Sequence, residues 1–125
     1  MEQKTHVFVY GTLRRGYWNH TLLGESEFLG TAKTVRKGWL YVPASIPFLN
    51  FDPEGEQIVG ELYLVGPETL KDLDALEGHP DFYERRIEPI AFNGKTLMAS
   101  IYVYPRELQD ETTRHYDYAE IIEKP

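Results

Sequence analysis

The stretch IVGELYLVGPETLKDLDALEG, residues 58–78, runs from a strand pattern into a helix pattern. Its first eight residues are nearly continuously apolar, which is typical of a strand in the middle of a sheet. Pro67 suits the first position of a helix, where its missing N–H needs no partner, and Glu68 places an acid in the first turn. Glycine commonly closes a helix in the left-handed conformation, so the helix should end near Gly78. The sequence therefore predicts a central strand that leads directly into a helix.

Further strand patterns flank this segment on both sides. Val7-Phe8-Val9-Tyr10 predicts a strand that stops at Gly11. Residues 28–41 alternate loosely and contain two glycines, which predicts a pair of twisted strands. Two apolar runs within residues 86–104 flank Asn93-Gly94, the strongest short signal for a β-hairpin.

Turn residues separate these patterns. Asp52-Pro53-Glu54-Gly55 predicts a turn, because Pro presets φ and Gly accepts positive φ. Residues 42–47 contain two prolines, which disfavour a helix, and predict a loop at the rim of a pocket. The tail after Pro105 is charged and polar and predicts a short helix or an irregular arm.

Length and composition favour one compact domain over residues 1–125. The chain contains no run of eighteen apolar residues and no Pro/Gly/Ser-rich linker, which predicts a single core and no membrane span. The first six residues lead straight into a strand pattern without an apolar leader or a small-residue cleavage site, so we expect a cytoplasmic protein.

Charge and side-chain chemistry narrow the function further. The formal net charge of −7 argues against a nucleic-acid partner, because such proteins concentrate positive charge. The chain has no cysteine, and its four histidines form no metal-binding motif, so we expect no metal site. The sequence predicts a small-molecule partner and chemistry performed by oxygen and nitrogen groups.

One acid on the predicted helix is expected to face inward. At about 100° per residue, Leu70 and Leu73 define the buried stripe, and Glu77 falls between their directions, whereas Asp74 lies nearer the edge. Burial and the negative end of the helix dipole both raise the pKa of a carboxyl group toward the range that a general base needs. Glu77 is therefore a candidate acid–base residue. The alternative is a structural ion pair with one of the arginines at positions 85 and 86.

The loop after the first strand is the second candidate. Residues 10–16, YGTLRRG, place free backbone N–H groups between two glycines, which is how proteins build small cradles for anions or oxyanions. No lysine follows Gly16, so the segment is not a P-loop. An ordinary turn with solvated arginines is the alternative for this loop taken alone.

Three motifs occur together: VYGTLRRG at residues 9–16 with Asn19-His20 after it, GELYLV at residues 60–65, and LDALEGHPDFYERR at residues 73–86. In this order and spacing they resemble the γ-glutamylcyclotransferase superfamily, and in particular its γ-glutamylamine cyclotransferase-like branch. The resemblance extends from residue 7 to residue 104. It implies an α+β fold in which a mixed, mainly antiparallel β-barrel-like sheet carries flanking helices.

The resemblance also implies an activity and a set of site residues. The family reaction cyclises a γ-glutamyl group to 5-oxoproline and releases the attached amine, without a metal or a cofactor. The family's catalytic acid–base residue falls on Glu77. Its substrate-binding and site-supporting residues fall on Tyr10, Gly11, Thr12, Leu13, Tyr83 and Arg85.

Two regions differ from the family pattern. Tyr116-Asp117-Tyr118 stands where many relatives carry a G-D-W-like tripeptide, and residues 33–50 match mainly at Pro47 and Leu49. We expect residues 33–50 to shape the specificity for the leaving amine. The identity of that amine and the oligomeric state stay open.

Two other functions remain as alternatives. One is a non-catalytic module that binds a small acidic metabolite, and the other is a phosphate or nucleotide site built from Arg14, Arg15 and the glycine loop.

Overall fold

The computed structural model describes residues 3–43, 45–106 and 115–125. The described part of the chain forms six strands, one α-helix and two short 3-10 helices. In chain order the elements are β1 (Thr5–Val9), a 3-10 helix (His20–Leu23), β2 (Glu27–Tyr41), β3 (Phe48–Phe51), β4 (Glu56–Val65), α1 (Pro67–Glu77), β5 (Glu84–Phe92), β6 (Lys95–Val103) and a second 3-10 helix (Tyr118–Glu120).

Five of the strands close into a mixed β-barrel. The sheet order is β3-β2-β4-β1-β6-β5, and an additional pairing of β2 with β5 completes the ring. The β1–β6 pairing is parallel, and the other pairings of the ring are antiparallel. Strand β3 lies outside the ring, on the edge of β2. The expected α+β fold with a mixed, mainly antiparallel barrel is confirmed.

The central strand, the helix and the hairpin form as predicted. Strand β4 lies between β2 and β1. Helix α1 has Pro67 in its first turn and ends at Gly78, whose φ of 65° and ψ of 35° are left-handed. At the tip of the β5–β6 hairpin, Asn93 and Gly94 both have positive φ, as the tight turns that suit a hairpin require.

The prediction of two strands within residues 28–41 is wrong, because one strand of 15 residues runs through both glycines. Its pairing with β4 shifts register between Phe28 and Gly30 and again between Lys33 and Lys37. Such irregularities bend a strand without ending it, which lets β2 pair with β3, β4 and β5 in turn. Strand β3, only four residues long, was not predicted.

Two smaller expectations also need correction. In the turn at residues 52–55 the N–H of Gly55 donates to the carbonyl of Asp52 at 2.9 Å, but Gly55 does not adopt positive φ. Glycine is needed there because a Cβ would lie 2.3 Å from the carbonyl oxygen of Gly38. The described residues contain one α-helix and two short 3-10 helices rather than several flanking helices.

Both faces of β1 are buried, and this places the helix beside the barrel. Phe8 belongs to the cluster inside the barrel, together with Leu62 and Ile101. Val7 and Val9, which point the other way, belong to a second cluster that contains Leu73 of α1, and also Tyr63, Tyr83 and Tyr102. Because side chains alternate along a strand, one short strand joins the barrel interior to the layer beneath the helix.

The predicted tail runs partly outside the described residues, since residues 107–114 are not among them. Where it is described again, the backbone of His115 pairs with Leu40, and the carbonyl of Tyr116 accepts from the N–H of Val59 at 2.8 Å. Tyr118 is fully buried in the barrel cluster. No helix in the described ranges is long and apolar enough to cross a membrane.

Candidate active site

A cavity of about 300 Å³ opens beside the last turn of α1. Its walls come from the end of β1 and the following loop, the end of α1, the segment that leads into β5, and the loop before β3. Six of the seven residues predicted for the site line it: Tyr10, Gly11, Thr12, Leu13, Glu77 and Tyr83. The seventh, Arg85, does not.

Glu77, the last residue of α1, presents its carboxyl group to this cavity. The side chain is partly buried and makes no hydrogen bond or ion pair with any residue that the structure describes. Burial among uncharged groups raises the pKa of Glu77 from its ordinary value of 4.5 to about 7. A carboxyl with this pKa exists in both forms at neutral pH, which suits a group that takes and returns a proton.

The structural ion pair considered for Glu77 does not form. The guanidinium of Arg85 binds Asp74 with a 2.8 Å bond from Nε and a 3.2 Å bond from Nη2. Arg86 binds Glu84 at 2.6 Å. Both arginines are therefore paired with other carboxylates.

The pKa of Asp74 is shifted in the opposite direction from that of Glu77. Burial alone would raise the pKa of Asp74, but the hydrogen bonds from Tyr102 and Arg85 and the nearby charges of Arg85 and His79 together lower it. The hydroxyl of Tyr102 donates to Asp74 at 2.7 Å. Asp74 thus stays ionised as part of a fixed hydrogen-bond network, and Tyr102, one of its partners, lines the cavity.

The loop after β1 forms a tight turn with its backbone against the cavity. The N–H of Arg14 donates to the carbonyl of Gly11 at 2.9 Å. Asn19 holds Thr12 twice, through its backbone N–H at 3.0 Å and its side-chain amide at 2.9 Å. The backbone N–H groups of Gly11, Thr12 and Leu13 donate to no residue in the described part of the chain. Gly11, Thr12 and Leu13 all line the cavity, so their N–H groups are candidates for the cradle that the sequence predicts.

Gly11 is needed in this loop because the opposite wall lies so close. A Cβ at this position would lie 2.4 Å from Cγ of Pro47. Across the cavity the hydroxyl of Tyr83 donates to the carbonyl of Pro47 at 2.6 Å. The loop before β3 is thus held between Gly11 and Tyr83.

The two arginines of the loop contact other residues of the protein and do not reach the cavity. Arg14 is buried and binds Asp117 at 2.8 Å, with Glu61 at 3.7 Å. Glu61 also accepts from the backbone N–H of Arg15 at 2.8 Å. The guanidinium of Arg15 lies 4.6 Å above the ring of Phe28. Neither arginine lines the cavity, so the geometry does not favour a phosphate or nucleotide site.

The tyrosines of the cavity remain protonated at neutral pH. Burial raises the pKa of Tyr10 well above its ordinary value, and the nearby Tyr83 and Glu77 raise it further. Burial and the charge of Glu77 likewise raise the pKa of Tyr83. The hydroxyl of Tyr10 donates to the carbonyl of Tyr102. These hydroxyls act as fixed donors that hold the walls in place.

The sequence analysis predicted the loop of residues 42–47 at the rim of a pocket, and Ile46 and Pro47 line the cavity. It did not assign eight other lining residues to the site: Phe8, Val9, Trp18, Asn19, Leu76, Gly78, Phe82 and Tyr102. Asn19 stood within the family pattern and could have been assigned from it. Nothing in the sequence around Tyr102 indicates a site residue, because it lies in an ordinary strand pattern. The hairpin places it beside α1 only in the folded protein. In the described residues no three His, Asp or Glu side chains gather as metal ligands.

The chain is similar to known proteins of one family. The family model described as gamma-glutamyl cyclotransferase, AIG2-like, matches residues 7–120. The chain is 46% identical over 102 residues to the "Putative gamma-glutamylcyclotransferase MJ1514" of Methanocaldococcus jannaschii, covering 80% of this chain and 84% of the relative. It is 35% identical over 130 residues to gamma-glutamylaminecyclotransferase C of Danio rerio, covering 90% and 86%.

A solved structure shares the fold. The crystal structure of an AIG2-like protein from Mus musculus superposes with a TM-score of 0.82 and 26% identity, over 93% of this chain and 87% of that one. The family match spans most of the barrel, the helix and the cavity. The chain therefore belongs to the AIG2-like gamma-glutamyl cyclotransferase family of enzymes.

Proposed function

We propose that the chain cyclises the γ-glutamyl group of a γ-glutamyl amine to 5-oxoproline, releases the attached amine, and uses Glu77 as its general acid–base. The position of Glu77 carries this proposal. Its carboxyl group faces the cavity, has no partner among the described residues, and has a pKa raised to about 7. A structural carboxylate would be paired, as Asp74 is with Arg85.

The reaction requires one proton carrier and a folded substrate. The α-nitrogen attacks the γ-carbonyl carbon of the same molecule, and the bond from that carbon to the departing nitrogen then breaks. Glu77 as a carboxylate removes a proton from the α-ammonium and, as an acid, delivers it to the departing nitrogen. It moves the second proton in the same way from the ring nitrogen, which the attack leaves cationic, so the amine is released as its ammonium ion. Glu77 ends in its starting form. Because both reacting atoms belong to one molecule, holding them together can be worth an effective molarity of ~10⁵ M or more.

The loop after β1 supplies hydrogen-bond donors for the negative charge of the substrate. The unpaired N–H groups of Gly11, Thr12 and Leu13 can bind the α-carboxylate or the oxyanion that develops on the γ-carbonyl oxygen. Donors fixed before the reaction stabilise such a charge without reorganisation. Their rigidity comes from the bonds that Asn19 makes to Thr12.

Tyr83 and Arg85 take different parts in this mechanism. Tyr83 lines the cavity beside Glu77, and its backbone N–H donates to the Glu77 carbonyl at 3.1 Å. Arg85 lies outside the lining and bonds to Asp74, which in turn accepts from Tyr102. We therefore assign Arg85 as a positioning residue that acts through Asp74, rather than as a substrate ligand.

The test compares Glu77→Gln with Glu68→Gln in the same helix. Glu68 is exposed and outside the cavity lining, so it controls for the loss of one helical carboxylate. With a panel of γ-glutamyl amines and mass-spectrometric detection of 5-oxoproline, Glu77→Gln should lose at least 10³-fold in kcat, since it removes the only proposed proton carrier. Glu68→Gln should stay within about twofold of wild type.

Calorimetry on the same two variants separates catalysis from binding. Glu77→Gln should still bind the substrates, since glutamine keeps the shape of the side chain. Near wild-type release of 5-oxoproline by Glu77→Gln would overturn the assignment. Binding of γ-glutamyl compounds by the wild-type chain with no product would instead favour a site that only captures an acidic metabolite.

A further inference from the structure

The mouth of the cavity is apolar and exposed. Trp18, Ile46, Leu76 and Phe82 have exposed fractions of 47%, 48%, 43% and 49%, and all four line the cavity. They make up four of the nine large hydrophobic residues that are exposed among the described positions. Single exposed apolar side chains are common on protein surfaces, but a cluster around a pocket marks a binding surface. We refer to these four residues as the apolar rim.

The apolar rim is not a by-product of one amphipathic element. Trp18 comes from the loop after β1, Ile46 from the loop before β3, Leu76 from α1, and Phe82 from the segment that leads into β5. Four separate segments each place one large apolar residue at the same opening. Chance exposure along one strand or helix does not produce this arrangement.

Two members of the apolar rim are held by other rings. Phe82 packs against Phe48, Tyr83 and Tyr104 with centroid separations of 6.0, 5.0 and 5.9 Å. Trp18 lies edge-on to Tyr17 at 6.2 Å. The side chains of Phe82 and Trp18 are therefore restrained before any ligand arrives, which reduces the entropy that they lose on binding.

The cavity offers little to a charged leaving group. Glu77 is the only Asp, Glu, Lys or Arg in the described lining, and the mechanism already uses it. Arg14 and Arg85, the nearby cations, are each bonded to a carboxylate outside the lining. A leaving amine with its own carboxylate or ammonium would lose hydration at the apolar rim and find no counter-charge among the described lining residues other than Glu77, which is unfavourable.

On the basis of the proposed cyclotransferase activity, we propose that the preferred substrates are γ-glutamyl derivatives of uncharged, apolar alkylamines or arylalkylamines, whose hydrocarbon part lies on the apolar rim. The cavity of about 300 Å³ lies at the small end of ligand pockets. The γ-glutamyl group occupies the interior beside Glu77, and the amine's carbon chain extends outward over the four apolar side chains.

The first experiment compares γ-glutamyl methylamine, propylamine and pentylamine with the isopeptide γ-glutamyl-ε-lysine. The last two share the same five-carbon chain, but lysine adds a carboxylate and an ammonium. We expect kcat/KM to rise by about fourfold per methylene that is buried. We expect the pentylamine derivative to exceed the lysine derivative by more than tenfold. Equal or better turnover of the lysine derivative, or a flat alkyl series, would overturn the apolar specificity while leaving the cyclotransferase activity established.

The second experiment assigns the preference to the apolar rim. Ile46→Ser should lower the ratio of kcat/KM for the pentylamine and methylamine derivatives by at least threefold. Ile87→Ser is the matched control, because Ile87 is also exposed, at 57%, but lies outside the cavity lining, and it should leave that ratio unchanged. A ratio that does not respond to Ile46→Ser would contradict the assignment. If no substrate yields 5-oxoproline, the proposed function itself fails, which is a different result from a flat series.

Discussion

Asp74 and Glu77 lie three residues apart on α1, and their carboxyl groups have opposite pKa shifts. Asp74 accepts bonds from Arg85 and Tyr102, which offset the effect of burial and lower its pKa. Glu77 faces the cavity, and burial raises its pKa to about 7. This separation of the two pKa values is what the proposed division into a structural carboxylate, Asp74, and an acid–base carboxylate, Glu77, requires.

Glu77→Gln should make the folded protein more stable at alkaline pH. In the wild type the raised pKa means that the folded state holds a proton that the unfolded state has already lost, so stability falls as pH rises from about 4.5 to about 7. That difference corresponds to up to about 3 kcal/mol at pH 8. Urea unfolding at pH 4 and pH 8 checks this, since glutamine does not titrate. If the difference in the free energy of unfolding between Glu77→Gln and wild type were the same at pH 4 and at pH 8, burial would not be the cause of the raised pKa.

The pH dependence of the reaction should show an acid limb near pH 7. Glu77 must be ionised to accept the α-ammonium proton, so kcat/KM should fall about tenfold per pH unit below its pKa. Initial rates of 5-oxoproline release between pH 5 and pH 8 measure this limb. A limb centred near pH 4.5 would mean that Glu77 is not desolvated in the working enzyme.

Asp74→Asn should weaken the site without removing its chemistry. Loss of the charge weakens the bonds from Arg85 and Tyr102, which at partly buried positions should cost about 1–3 kcal/mol of folding free energy. We expect a loss of kcat of about tenfold, far smaller than for Glu77→Gln, with the acid limb still present. Arg85→Gln should show the same pattern, because it breaks the same bond. Loss of the acid limb in Asp74→Asn, but not in Arg85→Gln, would show that Asp74 itself transfers protons.

Gly11→Ala should displace the loop from Pro47. The new Cβ would lie 2.4 Å from the Pro47 Cγ. The loop must therefore move, and its backbone N–H groups would no longer be positioned to bind the substrate. We expect KM to rise and kcat to fall, by about tenfold each, as for other small displacements at a reacting site. Pro47→Ala removes the clashing atom, so the double variant should recover part of the activity. Purely additive losses would contradict a clash between these two residues.

The position of Glu77 could be predicted from the sequence because helical geometry is local. Once Leu70 and Leu73 define the buried face, the direction of Glu77 follows from the angle per residue. The boundaries of α1 follow in the same way from Pro67 and Gly78. No comparable local rule predicts the function of the loop after β1. That prediction depended on the resemblance of its motif to a family.

The remaining features depend on contacts between distant residues. Tyr102 reaches the cavity only through the pairing of β6 with β1 and β5, which no pattern in its own strand reveals. The family motif predicted that Arg85 binds the substrate. In the structure Arg85 forms an ion pair with Asp74, one turn before Glu77. The sequence analysis divided the long strand β2 in two because of its glycines. Gly30 instead lies at an irregularity in the pairing with β4, and Gly38 pairs with Glu56 and Phe51 within the strand.

The bond between Arg14 and Asp117 joins residues 103 positions apart, and the hydroxyl of Tyr17 bonds to the carbonyl of Ile122 at 2.6 Å. During synthesis the loop that follows β1 leaves the ribosome early, but these partners emerge only near residue 122. The loop cannot reach its final conformation until then, because contacts of such sequence separation form late. A nascent chain therefore contains Glu77 well before the loop after β1 reaches the conformation that completes the site.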